Sequence, residues 1–317
     1  MDEHKRAVLR DIEPQVIGLV EAHRHHGEAW MPHDLLFPPG GKMFILRQDE
    51  LCEEQKHISP SLRAAYVLGM LTEEGLPSYH RLIGSHLEGE VWSAWNNLWT
   101  SEEQRHGALL HDYVRYTGFI PDIRALEVLL YQYTAAGFHP DWGDDPYQLL
   151  AYTSLQELAT QVSHRNLARL VNTNRRAPNL ALILAHIAGE EKRHADFYSK
   201  VFGLVIERDP DEALASLNAV VKNFAMPGKS MPGYEALAMV DMRLGVFTHD
   251  DLGRILLKLL DFWQIEKFAP PTKSGHAIKK SLFRLPGVLA WHAKNLLLKA
   301  PRSYSFPFLG QGTSFSL

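Results

Sequence analysis

The five residues Glu102-Glu103-Gln104-Arg105-His106 return, almost unchanged, as Glu190-Glu191-Lys192-Arg193-His194. Each copy carries Glu-x-x-His. Residues three apart lie on one face of a helix, so each copy can aim a carboxylate and an imidazole at one point. A lone glutamate precedes each copy, Glu73 before the first and Glu157 before the second. The copies lie 88 positions apart and the lone glutamates 84 (191 − 103; 157 − 73). This spacing reads as one helix pair used twice inside a single bundle, with residues 1–317 forming one domain.

The rest of the chain is patterned for helices. Val8, Ile12, Val16, Ile17 and Val20 recur at helical spacing, and a loop follows around Met31-Pro32 and Phe37-Pro38-Pro39-Gly40-Gly41. A helix is expected over about 43–58. Ser59 then caps the next one, with Pro60 at its first position. That helix runs through Leu62, Leu68 and Leu71 to Glu73-Glu74, and Pro77 should kink or locally re-pair its continuation. Further helices are expected over about 89–117, with Gly118 as stop and Pro121-Asp122 as the next start, then to Gly137, and over 146–172 and 179–202. Asp209-Pro210-Asp211 opens another, ending near Phe224. The turn-rich Met226-Pro227-Gly228 to Met231-Pro232-Gly233 follows, then helices near 249–265 and 276–298 and a weak hairpin signal at 304–315.

Glu157 sits among Tyr152, Leu155, Leu158 and Ala159, and Glu191 follows the apolar run from Leu180 to Ala188. Carboxylates buried there need compensation. Two divalent cations supply it: four carboxylates and two neutral imidazoles balance two ferrous ions. A glutamate from each of two helices plus Glu-x-x-His from each of two others is the ligand pattern of di-iron bundles of the ferritin-like class. Oxygen and imidazole donors suit iron better than soft metals, and zinc favours closed tetrahedral sites. The ligand set is therefore Glu73, Glu103, His106, Glu157, Glu191 and His194. Glu102 and Glu190 point about 100° away. They are candidates to accept a hydrogen bond from a metal-bound histidine, with Arg105 and Arg193 as their ion-pair partners. A third copy, Glu53-Glu54-Gln55-Lys56-His57, ends two residues before Ser59-Pro60 and reads as an exposed charged turn.

Composition narrows the partners. A net charge of −4 and a pI near 6.5 argue against nucleic acid. A single cysteine, Cys52, excludes an internal disulfide and a thiolate cluster. No apolar run approaches the roughly 20 residues of a membrane span, and the charged start Met1-Asp2-Glu3-His4-Lys5 has no signal core. The expectation is a soluble, cytoplasmic protein. Residues 267–317 hold eight Lys or Arg and no Asp or Glu, which suits an acidic partner. Leu285, Val288, Leu289, Trp291 and Leu296-Leu297-Leu298 lie in the same tail, on a helix that can cover the bundle or touch a membrane surface.

Trp30-x-Pro32-x-Asp34, Thr72-Glu73-Glu74-x-Leu76-Pro77-x-Tyr79 and Trp99-Thr100-x-Glu102-Glu103-x-Arg105-His106-Gly107 form the first part of a longer signature. Tyr152-Thr153-Ser154-x-Gln156-Glu157-x-Ala159-Thr160, Ser163-His164-x-Asn166, Glu191-Lys192-Arg193-His194, Met226-Pro227-Gly228 and Pro307-Phe308 complete it. Together, over nearly the whole chain, they resemble the soluble acyl-carrier-protein desaturases. The resemblance implies an all-α, ferritin-like di-iron bundle with additional packing helices, two Fe(2+) ions per chain, and a homodimer. It places Glu73 rather than Glu74 on iron. It assigns Thr160 as the active-site threonine and Trp30 as the entry point for electrons, which pass through an acid and His106. The family acid is usually Asp; here Glu190 stands in its place. Leu158 replaces a frequent Arg, and the segment before Trp30 reads His23-Arg24-His25-His26. The implied reaction uses O2 and two electrons from a ferredoxin to insert a cis double bond into a long acyl chain on acyl carrier protein, within fatty acid biosynthesis. Met70, Leu110 and Leu155 are candidates for lining the acyl tunnel. A hydroxylase of a carrier-bound acyl chain and a non-enzymatic ferritin-like iron protein are the alternatives.

Overall fold

Capping residues set the helix ends. The computed structural model describes residues 3–27, 29–36, 48–140 and 143–317. Its helices are α1 Glu3–His26, α2 Pro32–Leu36, α3 Gln48–Gln55, α4 Pro60–Glu74, α5 Leu76–His86, α6 Glu90–Thr117, α7 Ile123–Ala136, α8 Pro146–Val171, α9 Pro178–Arg208, α10 Pro210–Lys222, α11 Tyr234–Leu244, α12 His249–Phe262 and α13 Lys273–Lys299. The Ser59 hydroxyl accepts the Leu62 amide at the start of α4, and Asp122 does the same for Ala125 at the start of α7. Gly118 ends α6 in the left-handed region, at φ 66°, where a side chain would cost strain. A short antiparallel hairpin, β1 Ser303–Ser305 and β2 Ser314–Ser316, closes the chain.

Four expectations need correction. Pro77 does not kink a continuous helix. α4 stops at Glu74, and Pro77 lies in the first turn of a separate helix, α5, where its missing N–H costs nothing. The break falls at Gly75, where a Cβ would run into the Tyr133 hydroxyl. α9 continues six residues past 202, to Arg208. α11 was not anticipated. Its inner face of Leu237, Val240, Asp241 and Met242 includes a carboxylate, which breaks the apolar period. The helix expected over 43–58 covers Gln48–Gln55, while its 43–47 portion and the Phe37–Gly41 loop lie outside the described residues.

The long helices place the repeated motifs at one level. In α6, Trp92, Trp95 and Trp99 join one apolar core, and Leu109, Leu110, Tyr113 and Val114 join another. In α8, residues from Tyr147 to Ala159 join the first core and Leu167 to Val171 the second. In α9 the order reverses: Leu180 to Ile187 join the second and Ala195 to Ile206 the first. The motif residues of α6 and α9 fall between these stretches, and Glu157 lies near the end of the first stretch of α8. They form a polar waist between two apolar cores, bounded by α4, α6, α8 and α9. The tail helix α13 packs on α12 and α10. It buries Leu285, half-buries Leu289, Leu296 and Leu297, and leaves Val288, Trp291 and Leu298 exposed. Among the described residues no helix is long and apolar enough to cross a membrane.

Candidate metal centre

All six expected ligands meet at the waist and are buried. They form two groupings, Glu73/Glu103/His106/Glu191 and Glu103/Glu157/Glu191/His194, each with its donor atoms within 4.8 Å of one another. Glu103 and Glu191 belong to both. Each helix pair thus supplies one private glutamate, one histidine and one shared glutamate. His106 Nδ1 lies 2.9 Å from Glu191 and 3.3 Å from Glu103. His194 Nδ1 lies 2.8 Å from Glu103 and 3.9 Å from Glu191.

The donors are poorly matched to one another. Among the described residues, Glu103 Oε1, Glu157 Oε2, both Glu191 oxygens and the Nδ1 atoms of His106 and His194 are buried without a hydrogen bond of acceptable geometry. They converge on points between the helices instead of lining up donor to acceptor. Such orphaned atoms are costly in a low-dielectric interior. Hard oxygen donors plus imidazole, with more acceptors than donors, fit divalent cations.

The electrostatics show the same strain. Burial, then the charges of Glu191 and Glu103, push the Glu73 carboxyl well above its usual range. Burial and the same two neighbours do so for Glu157. Glu191 goes the other way: burial opposes ionisation, but the close imidazoles of His106 and His194 outweigh it and hold the carboxyl low. Burial lowers both imidazoles, yet the carboxylates around them win, and His106 and His194 rise well above the ordinary histidine value.

The far side of each imidazole is held by a crossed pair. His106 Nε2 on α6 lies 3.0 Å from Glu190 Oε2 on α9. His194 Nε2 on α9 lies 2.8 Å from Glu102 Oε2 on α6. Both glutamates are buried, and both arginines of the repeats reach them: Arg193 bonds Glu190 at 3.1 Å and Arg105 bonds it at 3.4 Å, while Arg193 approaches Glu102 at 3.5 Å. Burial raises Glu102, but hydrogen bonds from His194 and His23 more than offset it and hold it as a carboxylate.

Two side chains extend these pairs toward the surface. Trp30 Nε1 donates to Glu190 Oε2 at 2.8 Å, and its ring lies nearly parallel to His106, with centroids 6.2 Å apart. At the other end His23 bonds Glu102 at 2.8 Å and stacks on His194 at 5.8 Å. Thr160 lies on the opposite side. Its hydroxyl donates to the Gln156 carbonyl at 3.1 Å and accepts from the Gln156 side-chain amide at 2.9 Å. Together with Glu73, Glu103 and Trp99 it lines a cavity of about 30 Å³ beside the cluster.

Three neighbours carried no expected role. His164 Nε2 bonds Glu73 Oε1 at 2.8 Å, and burial lowers its pKa to about 4, so its ring is neutral. Trp99 Nε1 donates to Glu157 Oε1 at 3.1 Å. His23 completes the set. The positions were readable, since His164 is seven residues from Glu157 and Trp99 four from Glu103, each on the ligand face. The third Glu-x-x-His copy stays apart from the cluster, but Glu54 is not an exposed charge. It is buried, and its carboxylate accepts the backbone amides of Asn179 and Leu180 at the start of α9. Met70, Leu110 and Leu155 pack within the two cores, and other residues line the cavities nearest the cluster.

Fold and site together define a helical bundle with two overlapping groupings of metal-donor side chains that share two carboxylates. The chain belongs to the fatty acid desaturase family, whose model matches residues 4–305, and that makes it an oxidoreductase. It is 32% identical over 297 residues to the chloroplastic stearoyl-[acyl-carrier-protein] 9-desaturase of Spinacia oleracea, covering 89% of this chain and 74% of the relative. It is 33% identical over 264 residues to palmitoyl-[acyl-carrier-protein] 4-desaturase 3 of Ophrys sphegodes, covering 78% and 66%. The X-ray structure of DesA2 from Mycobacterium tuberculosis H37Rv shares the fold, with a TM-score of 0.60 and 19% identity over 86% of this chain and 99% of that one.

Proposed function

We propose that this protein inserts a cis double bond into a long acyl chain carried by acyl carrier protein. The observation that carries the reading is the sharing of Glu103 and Glu191 between two donor groupings whose inward atoms are orphaned. Residues 1–317 act in it as one domain, since helices from both halves close the cluster. Glu73, Glu103, His106 and Glu191 would hold one ferrous ion, and Glu103, Glu157, Glu191 and His194 the other. Bound there, the two ions supply the O2-dependent oxidation of an unactivated methylene pair that no side chain can perform.

The chain's own residues prepare that chemistry. Glu190 and Glu102 accept the Nε2 protons of His106 and His194, which leaves each Nδ1 lone pair facing inward. Trp30, Glu190 and His106 form a continuous hydrogen-bonded line from the α1–α2 junction to the cluster and serve as the electron entry. The Glu190 side chain spans this gap in place of the family aspartate. Thr160 keeps a hydroxyl proton at the wall of the small cavity, where it can be passed toward reduced oxygen. The apolar walls exclude water from the reacting carbons.

The carrier partner is supported by the names of the relatives and by the acid-free tail from 267 to 317. A ferredoxin as donor, a homodimer and a cytoplasmic setting complete the reading. The test loads ferrous iron anaerobically, adds ferredoxin, its reductase, O2 and stearoyl-carrier protein, and weighs the product. Loss of two hydrogens is the expected outcome. Gain of one oxygen would make the protein a hydroxylase, and repeated uptake of iron without turnover would make it an iron store.

A further inference from the structure

A cleft of about 120 Å³ enters the bundle between α4, α11 and α12. Half-buried residues, Phe224, Met226 and His249 among them, form its outer wall. Its inner end reaches Thr72, and Thr72 also lines the small cavity at the cluster. Met226 lines the cleft, Pro227 the small cavity, and a Cβ on Gly228 would press on the Thr72 hydroxyl at 3.2 Å. The Met226-Pro227-Gly228 motif therefore sits where the two spaces meet. Cleft and small cavity thus meet at Thr72, and most of the cleft wall is apolar.

Asp241 is the exception. It lines the cleft, is only 8% exposed, and among the described residues its Oδ1 has no hydrogen-bond partner. Of the other polar groups in the wall, Thr72 donates to the Leu68 carbonyl, Ser163 to the Ala159 carbonyl and Thr248 to Asp251 within a capping box, while Tyr234 and the half-buried His249 also line the cleft. Burial pushes the Asp241 carboxyl well above the usual carboxylate range, so it is a neutral acid with one donor and one acceptor. A hydrocarbon lying in the cleft would leave this acid without a partner. An amide, which also offers one N–H and one C=O, matches it.

We propose that Asp241 binds the amide-bearing thiol arm through which a carrier holds the acyl chain, while the hydrocarbon passes Thr72 toward the cluster. The inference rests on the carrier-bound substrate proposed above. It makes Asp241 a positioning residue that sets how deep the chain enters. An oxygen substituent on the chain itself is the competing source of the same chemistry.

The test measures binding to the metal-free full chain by calorimetry, with stearoyl-pantetheine, stearic acid and a hydroxystearic acid as probes. Asp241→Leu should weaken stearoyl-pantetheine about tenfold, the scale of one or two hydrogen bonds, and leave stearic acid unchanged. Asp241→Asn should keep most of the affinity and serves if the leucine variant misfolds. The leucine variant should melt no lower than the parent, since it removes an unpartnered buried acid. Equal loss for both stearoyl probes, or none, overturns the inference, as does a loss confined to the hydroxy acid. Conversion of stearoyl-carrier protein by the parent distinguishes the two failures. If conversion occurs and the variants bind alike, only this inference falls. If it does not, the proposed function falls first.

Discussion

Replacing Glu54 by alanine separates a structural carboxylate from a metal-binding one. The Glu54 side chain accepts the Asn179 amide at 3.1 Å, the Leu180 amide at 3.3 Å and the Asn179 side-chain amide at 2.7 Å. The cap residue of that helix, Ala177, makes no side-chain capping bond, so Glu54 does the work from another helix. Loss of a cap costs about 0.5–2 kcal/mol, and hydrogen bonds to a buried charge about 1.5–3 kcal/mol. The bonds act as a unit and water partly replaces them, so we expect a loss of about 2–3 kcal/mol. For a chain of 317 residues that corresponds to a fall in Tm of roughly 3–5 °C. The ligands are far enough away to escape: Asn179 and Glu191 are twelve residues apart on α9, about 18 Å along the helix. Calorimetry and iron analysis of one preparation decide the matter. An unchanged Tm would show that the carboxylate does not cap α9. A loss of iron with the fold intact would show that the third Glu-x-x-His copy binds metal after all.

Three further outcomes are expected. His164→Phe should weaken iron at the Glu73 side about 10–100-fold and spare the Glu157 side, as read by titration with a spectroscopically visible divalent ion; equal weakening of both would refute the separate roles. Iron binding should release protons and weaken as pH falls. In the metal-free cluster Glu73, Glu157, His106 and His194 all sit above their ordinary values, so they hold protons near neutrality that ligation must displace. Calorimetry in buffers of different ionisation enthalpy counts those protons, and a count of zero would refute the charge argument. Trp30→Phe should keep both irons, because the Trp30 side chain meets Glu190, the His106 ring face, Arg105 and His186 and not the inward donor atoms, while slowing reduction by ferredoxin at least tenfold. An unchanged rate in stopped-flow reduction would place electron entry elsewhere.

The amino-acid sequence alone determined a great deal here. Glu-x-x-His twice, each with an earlier glutamate, dictated a four-helix waist, because helical periodicity links residue spacing to a shared face without reference to the rest of the fold. Local punctuation was equally readable: Ser59, Asp122 and Gly118 act within one turn of themselves, and each does what its chemistry requires. What spacing could not express is which distant side chain meets which. The crossing of Glu102 to His194 and Glu190 to His106, the seating of His164 on Glu73, and the capping of α9 by Glu54 join residues up to 126 positions apart. Such pairs follow from how the helices pack, and packing depends on the summed shape of both cores. For the same reason α11 hid behind its buried acid. Asp241 breaks the apolar period in the sequence, and only the tertiary structure shows it lining the cleft to the cluster.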